Sequence, residues 1–244
     1  MNKEDVLKQC IVEGLIIKLP DTQLERKIYT DVAKALELIG GKWNRSKQGF
    51  VFNEDPTALL TQIQNGEKRN LKKEFQFFAT PDDVADFMID LIRVDEGDSV
   101  LEPSAGQGAL IKALLRQYPN TKVDAFELMD INREFLKKIP EVNLIGEDFL
   151  TTPIEKKYDL IIANPPFSKN QDIDHIMKMY SHLKVGGVLA SICSKHWTFA
   201  TGKKETAFRN FIEKENCTDI FPLEHGRFKS SGTMVGTQLI VIYT

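Results

Sequence analysis

The sequence predicts an α/β protein built on a mostly parallel sheet, preceded by a small α+β module. Three observations point there. From Phe75 onward, strand-like and helix-like stretches alternate, which is the pattern of a parallel sheet with helices on its faces. Several strand-like stretches, such as LIIA at 160–163, are unbroken apolar runs rather than alternations, as expected of strands buried on both sides. The first seventy residues differ in texture, and the polar run GEKRNLKK (66–73) reads as a linker. The expected division is therefore a module at 1–70 and a core at 71–244.

In the module, CIVEGLIIKL (10–19) reads as a strand. The next stretch, 21–41, reads as a helix capped by Asp21 or Thr22 and stopped by Gly40-Gly41. KWNRSKQGFVF (42–52) reads as a hairpin turning at Ser46–Gly49, and DPTALLTQIQNG (55–66) as a short helix with Pro56 in its first turn. In the core, a helix follows Thr80-Pro81 over about 81–92. Strand SVLEP then leads into a helix at 108–118, and strand KVDAFEL into one at 130–138. Strands VNLIGED and YDLIIAN come next, then a helix at 172–183, strand GVLASIC, a helix at 204–214, and strands DIFPLE and TQLIVIYT.

Composition narrows the function classes. The chain has 244 residues, 42% hydrophobic and 27% charged, with a net charge of −3. That suits a globular protein with a sizeable core and excludes a uniformly basic nucleic-acid binder. Charge is uneven: residues 1–73 carry 13 Lys and Arg against 10 Asp and Glu, whereas 74–244 carry 19 against 25. Cys10, Cys193 and Cys217 are odd in number and lack metal-type spacing, and His175, His182, His196 and His225 show no ligand spacing either. No metal is expected. The N-terminus is charged and no apolar run approaches ~18 residues, so neither signal peptide nor membrane span is expected, and a reduced, cytoplasmic setting is.

Ligands of such sheets bind beyond the carboxyl ends of the strands, and three acids stand there. Glu102 ends SVLEP and runs into SAGQGAL, where Ser104, Ala105, Gly106 and Gly108 let a ligand approach the backbone. Glu127 ends the next strand, 19 residues beyond Gly108, a spacing that suits an acid bridging ribose hydroxyls. Asp148 ends the third. Glu127 and Asp148 could instead cap the helices that follow. The turn lacks a Gly-Lys-Ser/Thr phosphate cradle, and an acid in it would repel pyrophosphate. A cationic, phosphate-free ligand fits better, and S-adenosylmethionine, with its ammonium, sulfonium and ribose diol, matches.

FFATPDDVADFMIDLI, VLEPSAGQGAL, DAFELMD, GEDFL and DLIIANPPF follow one another in the order seen in class I S-adenosylmethionine-dependent methyltransferases. Residues 75–244 most resemble the gamma-arrangement DNA methyltransferases that act on adenine N6, of the small orphan type carried by phages and mobile elements. The resemblance implies a Rossmann-like seven-stranded sheet whose last strand, TQLIVIYT, is antiparallel. It also implies Thr80 near the methionine carboxylate, Glu102 and the Gly106 turn near the methionine moiety, Glu127 on the ribose, and Asp148 on the cofactor adenine. The same core, with NPPF or NPPY, serves enzymes that methylate guanine N2 in RNA or glutamine in proteins. A cofactor-binding, non-catalytic subunit of a restriction or antirestriction assembly is a further alternative.

Within that resemblance, Asn164, Pro165, Pro166 and Phe167 acquire a chemical reason. The lone pair of an exocyclic amine is delocalised into its ring. The Asn164 amide oxygen and the Pro165 carbonyl can each accept one of its N–H groups and favour a pyramidal nitrogen. The prolines fix the backbone, and Phe167 supplies a face for an extruded base. By itself the motif could also be a strand-terminating turn.

Gamma-type enzymes usually carry a recognition domain after the core, and this sequence has none after TQLIVIYT, which turns attention to the module. There Lys42, Arg45 and Lys47 surround Trp43, a basic and aromatic surface suited to DNA; alternatively Trp43, Phe50 and Phe52 are the module's core and the charges its solvated rim. Lys195, Lys203, Lys204 and Arg209 line either a substrate cleft or a solvated loop. Phe228, just before the last strand beside Lys229, is a candidate second stacking residue.

Overall fold

A computed structural model of the chain describes residues 2–52, 55–66, 80–214, 218–224, 228 and 235–244. Its contacts divide it into two compact units, Met1–Phe77 and Phe78–Thr244. Most of the expected linker, the FFA of the FFATP segment, Cys217, His225 and Lys229 lie outside the described residues.

The first unit begins with a helix where the sequence suggested only a charged terminus. In α1 (Lys3–Gln9), Asn2 Oδ1 accepts from the Asp5 N–H at 2.8 Å and Asp5 Oδ2 accepts from the Asn2 N–H at 3.0 Å, a reciprocal cap. The single strand expected at 10–19 is instead a hairpin, β1 (Ile11–Glu13) and β2 (Ile16–Lys18), because Gly14 takes φ +60° and turns the chain between them. Helix α2 (Arg26–Leu38) starts later than the Asp21 or Thr22 cap predicted. Those two residues lie outside the helix, in a bend where Thr22 N–H donates to the Pro20 carbonyl at 2.8 Å. Gly40, at φ +99°, stops the helix as expected.

Strands β3 (Lys42–Asn44) and β4 (Gly49–Val51) form the expected hairpin, and Pro56 is the N-cap of α3 (Thr57–Gln64) rather than part of its first turn. The sheet order is β1-β2-β4-β3, antiparallel throughout. Phe50 and Phe52 are core, whereas Trp43, on edge strand β3, is 43% exposed and meets Tyr29 and Phe50 edge-on.

The second unit contains α4 (Asp82–Asp90), β5 (Val100–Glu102), α5 (Ala109–Gln117), β6 (Val123–Phe126), α6 (Asp130–Leu136) and β7 (Val142–Gly146). It continues with β8 (Tyr158–Ala163), α7 (Gln171–Ser181), β9 (Leu183–Ser194), α8 (Lys203–Lys214), β10 (Thr218–Pro222) and β11 (Thr237–Tyr243). The sheet has seven strands in the order β10-β11-β9-β8-β5-β6-β7. Strands β5 to β9 pair in parallel, and β11 runs antiparallel to both its neighbours, as expected of TQLIVIYT.

The unbroken apolar runs have the predicted cause. Leu160 and Ile162 join one core, with Val84, Met88, Leu110 and Leu114 from α4 and α5. Ile161 and Ala163 join a second core on the opposite face, with Ile176, Met179 and Phe208 from α7 and α8. A strand covered on both faces has no polar side to show. The chain winds outward from β5 to β7 and then returns to lay β8 on the other side of β5. The strand order therefore reverses between β5 and β8, the position beyond whose strand ends such sheets receive ligands.

Candidate functional site

Glu102 ends β5, 2% exposed, and among the described residues neither its Oε2 nor the buried Oγ of Ser104 beside it has a hydrogen-bond partner. Native proteins leave few buried polar atoms unsatisfied, and each asks for an explanation. Burial pushes the Glu102 carboxyl well above the usual glutamate range, and the neighbouring Glu127 charge pushes it further, partly countered by the Ile111 N–H. Two orphaned oxygens in one turn, one on an acid whose charge burial disfavours, form a receptor for donors and for positive charge.

The turn itself is shaped by two glycines in the left-handed region, Gly106 at φ +56° and Gly108 at φ +78°. Gly108 caps α5, and a Cβ there would come within 3.1 Å of Leu136 and 3.2 Å of Ile139, so close packing against the end of α6 also requires it. Gly106 N–H donates to Glu127 Oε2 at 2.6 Å, while Glu127 Oε1 accepts from the Met129 N–H at 2.8 Å and from Asn132 Nδ2 at 3.2 Å. Glu127 thus braces the start of α6, as the capping alternative held, and also reaches back across the sheet to the glycine turn. Burial raises its carboxyl despite these three donors. Asp148, half-buried after β7, accepts the Leu150 N–H at 2.9 Å on Oδ1, a local turn contact. Leu128, next to Glu127, is 55% exposed, an apolar side chain beside a strand-end acid that sequence reasoning passed over.

Across the switch point, β8 runs into Asn164. Its Nδ2 donates to Thr80 Oγ1 at 3.0 Å, and Thr80, just ahead of α4, is 8% exposed. The structure therefore joins two candidates separated by 84 positions. With Nδ2 turned to Thr80, Oδ1 points to the opposite side of the amide. Pro165 is buried, Pro166 and Phe167 are half-buried, and Phe167 packs on the core that contains Phe228. Phe228 is 2% exposed, so its ring belongs to that core rather than to an open face. The motif is followed by two non-glycine residues in the left-handed region, Lys169 at φ +53° and Asn170 at φ +58°. Asn170 Nδ2 donates to the buried Glu205 Oε1 at 2.6 Å. No sequence signal marked this pair.

Lys195 is half-buried where β9 ends, its N–H donating to the Gly236 carbonyl at 2.8 Å. Lys42, Arg45 and Lys47 are exposed on the β3–β4 hairpin of the first unit. Among the described residues, no group of three or more His, Cys, Asp or Glu side chains is placed to hold a metal, and no helix is long and apolar enough to cross a membrane.

Residues 75–216 match the family model described as Methyltransferase small domain. The chain belongs to that family. Its fold is that of class I S-adenosylmethionine-dependent methyltransferases, and S-adenosylmethionine is the cofactor. The orphaned Glu102 and Ser104 oxygens fit the ammonium end of that molecule.

Among curated relatives, this chain is 32% identical over 103 residues to the type II methyltransferase M.CvrRI of Paramecium bursaria Chlorella virus XZ-6E, covering 41% of the chain and 27% of that protein. It is 35% identical over 89 residues to malonyl-[acyl-carrier protein] O-methyltransferase 1 of Ilyobacter polytropus, covering 35% of the chain and 32% of that protein. The chain thus spans about a third or less of either relative. Among solved structures, the M protein of the type I restriction enzyme EcoKI superposes with a TM-score of 0.57 at 18% identity, covering 99% of this chain and 56% of that one. The last likeness is one of fold.

Proposed function

We propose that this methyltransferase transfers a methyl group from S-adenosylmethionine to an exocyclic amine, namely adenine N6 in DNA. The observation that carries the reading is the Asn164-Pro165-Pro166-Phe167 segment at the end of β8, with the Asn164 amide oriented by Thr80. The similarity to type II methyltransferases supports DNA as the acceptor.

Bound S-adenosylmethionine supplies a methyl group on a cationic sulfur. Glu102 and Ser104 would accept from its ammonium, Thr80 would serve its carboxylate, Glu127 would accept from the ribose diol, and Asp148, with the exposed Leu128, would serve the adenine. The Asn164 oxygen and the Pro165 carbonyl accept the two N–H groups of the target amine and turn its lone pair out of the ring plane, while Phe167 stacks on the base. An amide oxygen is too weak a base to take the proton first, so the proton leaves after the nitrogen has become cationic. The chain's contribution is placement and preorganised acceptors.

A carboxylate acceptor, as in an acyl-carrier O-methyltransferase, has no N–H groups for these two oxygens to receive, and the motif is wasted on it. In the first unit, the half-exposed Trp43 with Lys42, Arg45 and Lys47 supports a second contact to the duplex. The test is tritium transfer from labelled cofactor to DNA, ribosomal RNA and protein side by side, followed by digestion of the DNA to nucleosides with mass detection. N6-methyladenine is the expected product. Label only in RNA or protein, or in an alkali-labile ester, overturns the reading.

A further inference from the structure

We infer that the loop between β9 and α8, residues 195–202, is a platform for the nucleic-acid strand flanking the methylated base, with Phe199 as its stacking surface. The inference rests on the DNA reading above and adds to it a site none of the motifs contains.

Phe199 is 70% exposed, and the ring of His196 meets it edge-on at 5.4 Å. The loop that carries the pair is pinned. Arg209 Nη1 donates to the Trp197 carbonyl and, at 2.7 Å, to that of Ala200. Thr198 Oγ1 donates to the Lys195 carbonyl at 2.8 Å, and Trp197 is buried beneath. An aromatic ring held out on a braced loop loses little entropy when it stacks, which is what a nucleobase platform requires.

Two links tie this loop to the acceptor motif. Glu205, at the start of α8, accepts from Asn170 at 2.6 Å and stands 3.7 Å from His196 Nε2. Asp172 Oδ2 accepts from the Ser194 N–H at 2.9 Å and from Ser194 Oγ at 2.8 Å, which joins the end of β9 to α7 just after the motif. The charges complement a phosphodiester strand. Residues 195–204 contain Lys195, His196, Lys203 and Lys204 and no Asp or Glu. Lys169 extends the basic strip from the motif side, exposed on its left-handed backbone. Lys204 is paired with Asp174 at 2.6 Å; among the described residues, Lys169, Lys195 and Lys203 have no ion pair. A protein acceptor gives no reason for an aromatic flanked by cations on one side of the motif, whereas a flipped base with its neighbours unstacked does.

The test compares wild type, Phe199→Ala and Phe199→Trp by fluorescence anisotropy on a fluorescein-labelled single-stranded oligonucleotide, with titration calorimetry of S-adenosylmethionine and steady-state methylation of DNA. Phe199→Ala is expected to raise the oligonucleotide Kd about tenfold, the loss of one base–aromatic stack. It should raise KM for DNA more than it lowers kcat and leave cofactor affinity unchanged, and Phe199→Trp should restore binding. Equal oligonucleotide affinity for wild type and Phe199→Ala, in an enzyme that methylates DNA, overturns the platform alone. A wild type that neither binds nor methylates nucleic acid overturns the platform and the DNA reading together. A protein acceptor whose methylation falls in Phe199→Ala overturns the assignment to nucleic acid.

Discussion

Replacing Glu102 by glutamine should stabilise the empty protein and weaken its hold on the cofactor, with opposite signs from one atom. The carboxyl is buried, one oxygen has no partner among the described residues, and Glu127 adds negative potential, so the folded state holds the Glu102 proton far more tightly than the unfolded chain does. A folded value raised above the unfolded one contributes stability at low pH that is lost as pH rises from the ordinary glutamate value of 4.5 through the folded value. Within that window the wild type should lose up to about 1.4 kcal/mol per pH unit from this group. For a chain of this size that is about 3–5 °C in Tm. Glutamine mimics the neutral acid, so the variant should match the wild type near pH 5 and gain on it steadily above. Bound cofactor brings an ammonium that favours the charged carboxylate, so binding should release protons in the wild type and not in the variant. The lost charge-assisted bond, worth roughly 1.5–3 kcal/mol, should raise Kd by one to two decades. Urea unfolding from pH 5 to 8, with calorimetry in buffers of different ionisation enthalpy, measures both. A stability difference that stays flat with pH, together with an unchanged Kd, refutes the reasoning.

Three further outcomes are expected. Asn164→Ala should abolish methyl transfer while cofactor Kd stays nearly constant by calorimetry, since Asn164 is assigned to the amine; activity near wild type would put the acceptor site elsewhere. Glu127→Ala should raise cofactor Kd tenfold or more and also lower Tm, because the carboxylate holds Gly106, Met129 and Asn132 in the empty protein; a change in Tm with an unaltered Kd would leave it a brace only. Neutralising Lys42, Arg45 and Lys47 together should reduce the slope of log affinity for duplex DNA against log salt by up to about three counterions' worth. An identical slope in anisotropy would remove the first unit from DNA binding.

What could be read without coordinates was whatever depends on local pattern. Leu160 to Ala163 is apolar at every position because both faces of β8 are covered, and that is visible in the letters. Glu102, Glu127 and Asp148 announce themselves as acids closing apolar runs. The misreadings share a cause as well. Val, Ile and Leu from 11 to 18 look like one strand because Gly14 is the sole mark of the turn between β1 and β2, and Asp21-Thr22 resembles a cap although Pro20 has already set a bend there. What stayed hidden is what long-range contact decides. Thr80 and Asn164 meet across 84 residues, Glu127 finds Gly106 across a strand pair, and Phe228 is drawn into the core. The left-handed Lys169 and Asn170 leave no trace in composition, since neither is the glycine that such backbone usually selects.

The placement of β11 bears on how the chain is made. That strand fills the gap between β9 and β10, pairing Thr237 with Ser194 and Tyr243 with Val188. Until it leaves the ribosome, β9 presents a long, apolar, unpaired edge beside the parallel strands β5 to β8. At roughly 5–20 residues per second, the ~50 residues from Ser194 to Tyr243 take about 2.5–10 s to emerge. For that interval the nascent polypeptide displays a template onto which a neighbouring chain's strand can add. Translation speed over the codons for residues 194–243, and chaperone occupancy there, should therefore govern soluble yield more than any codon choice upstream.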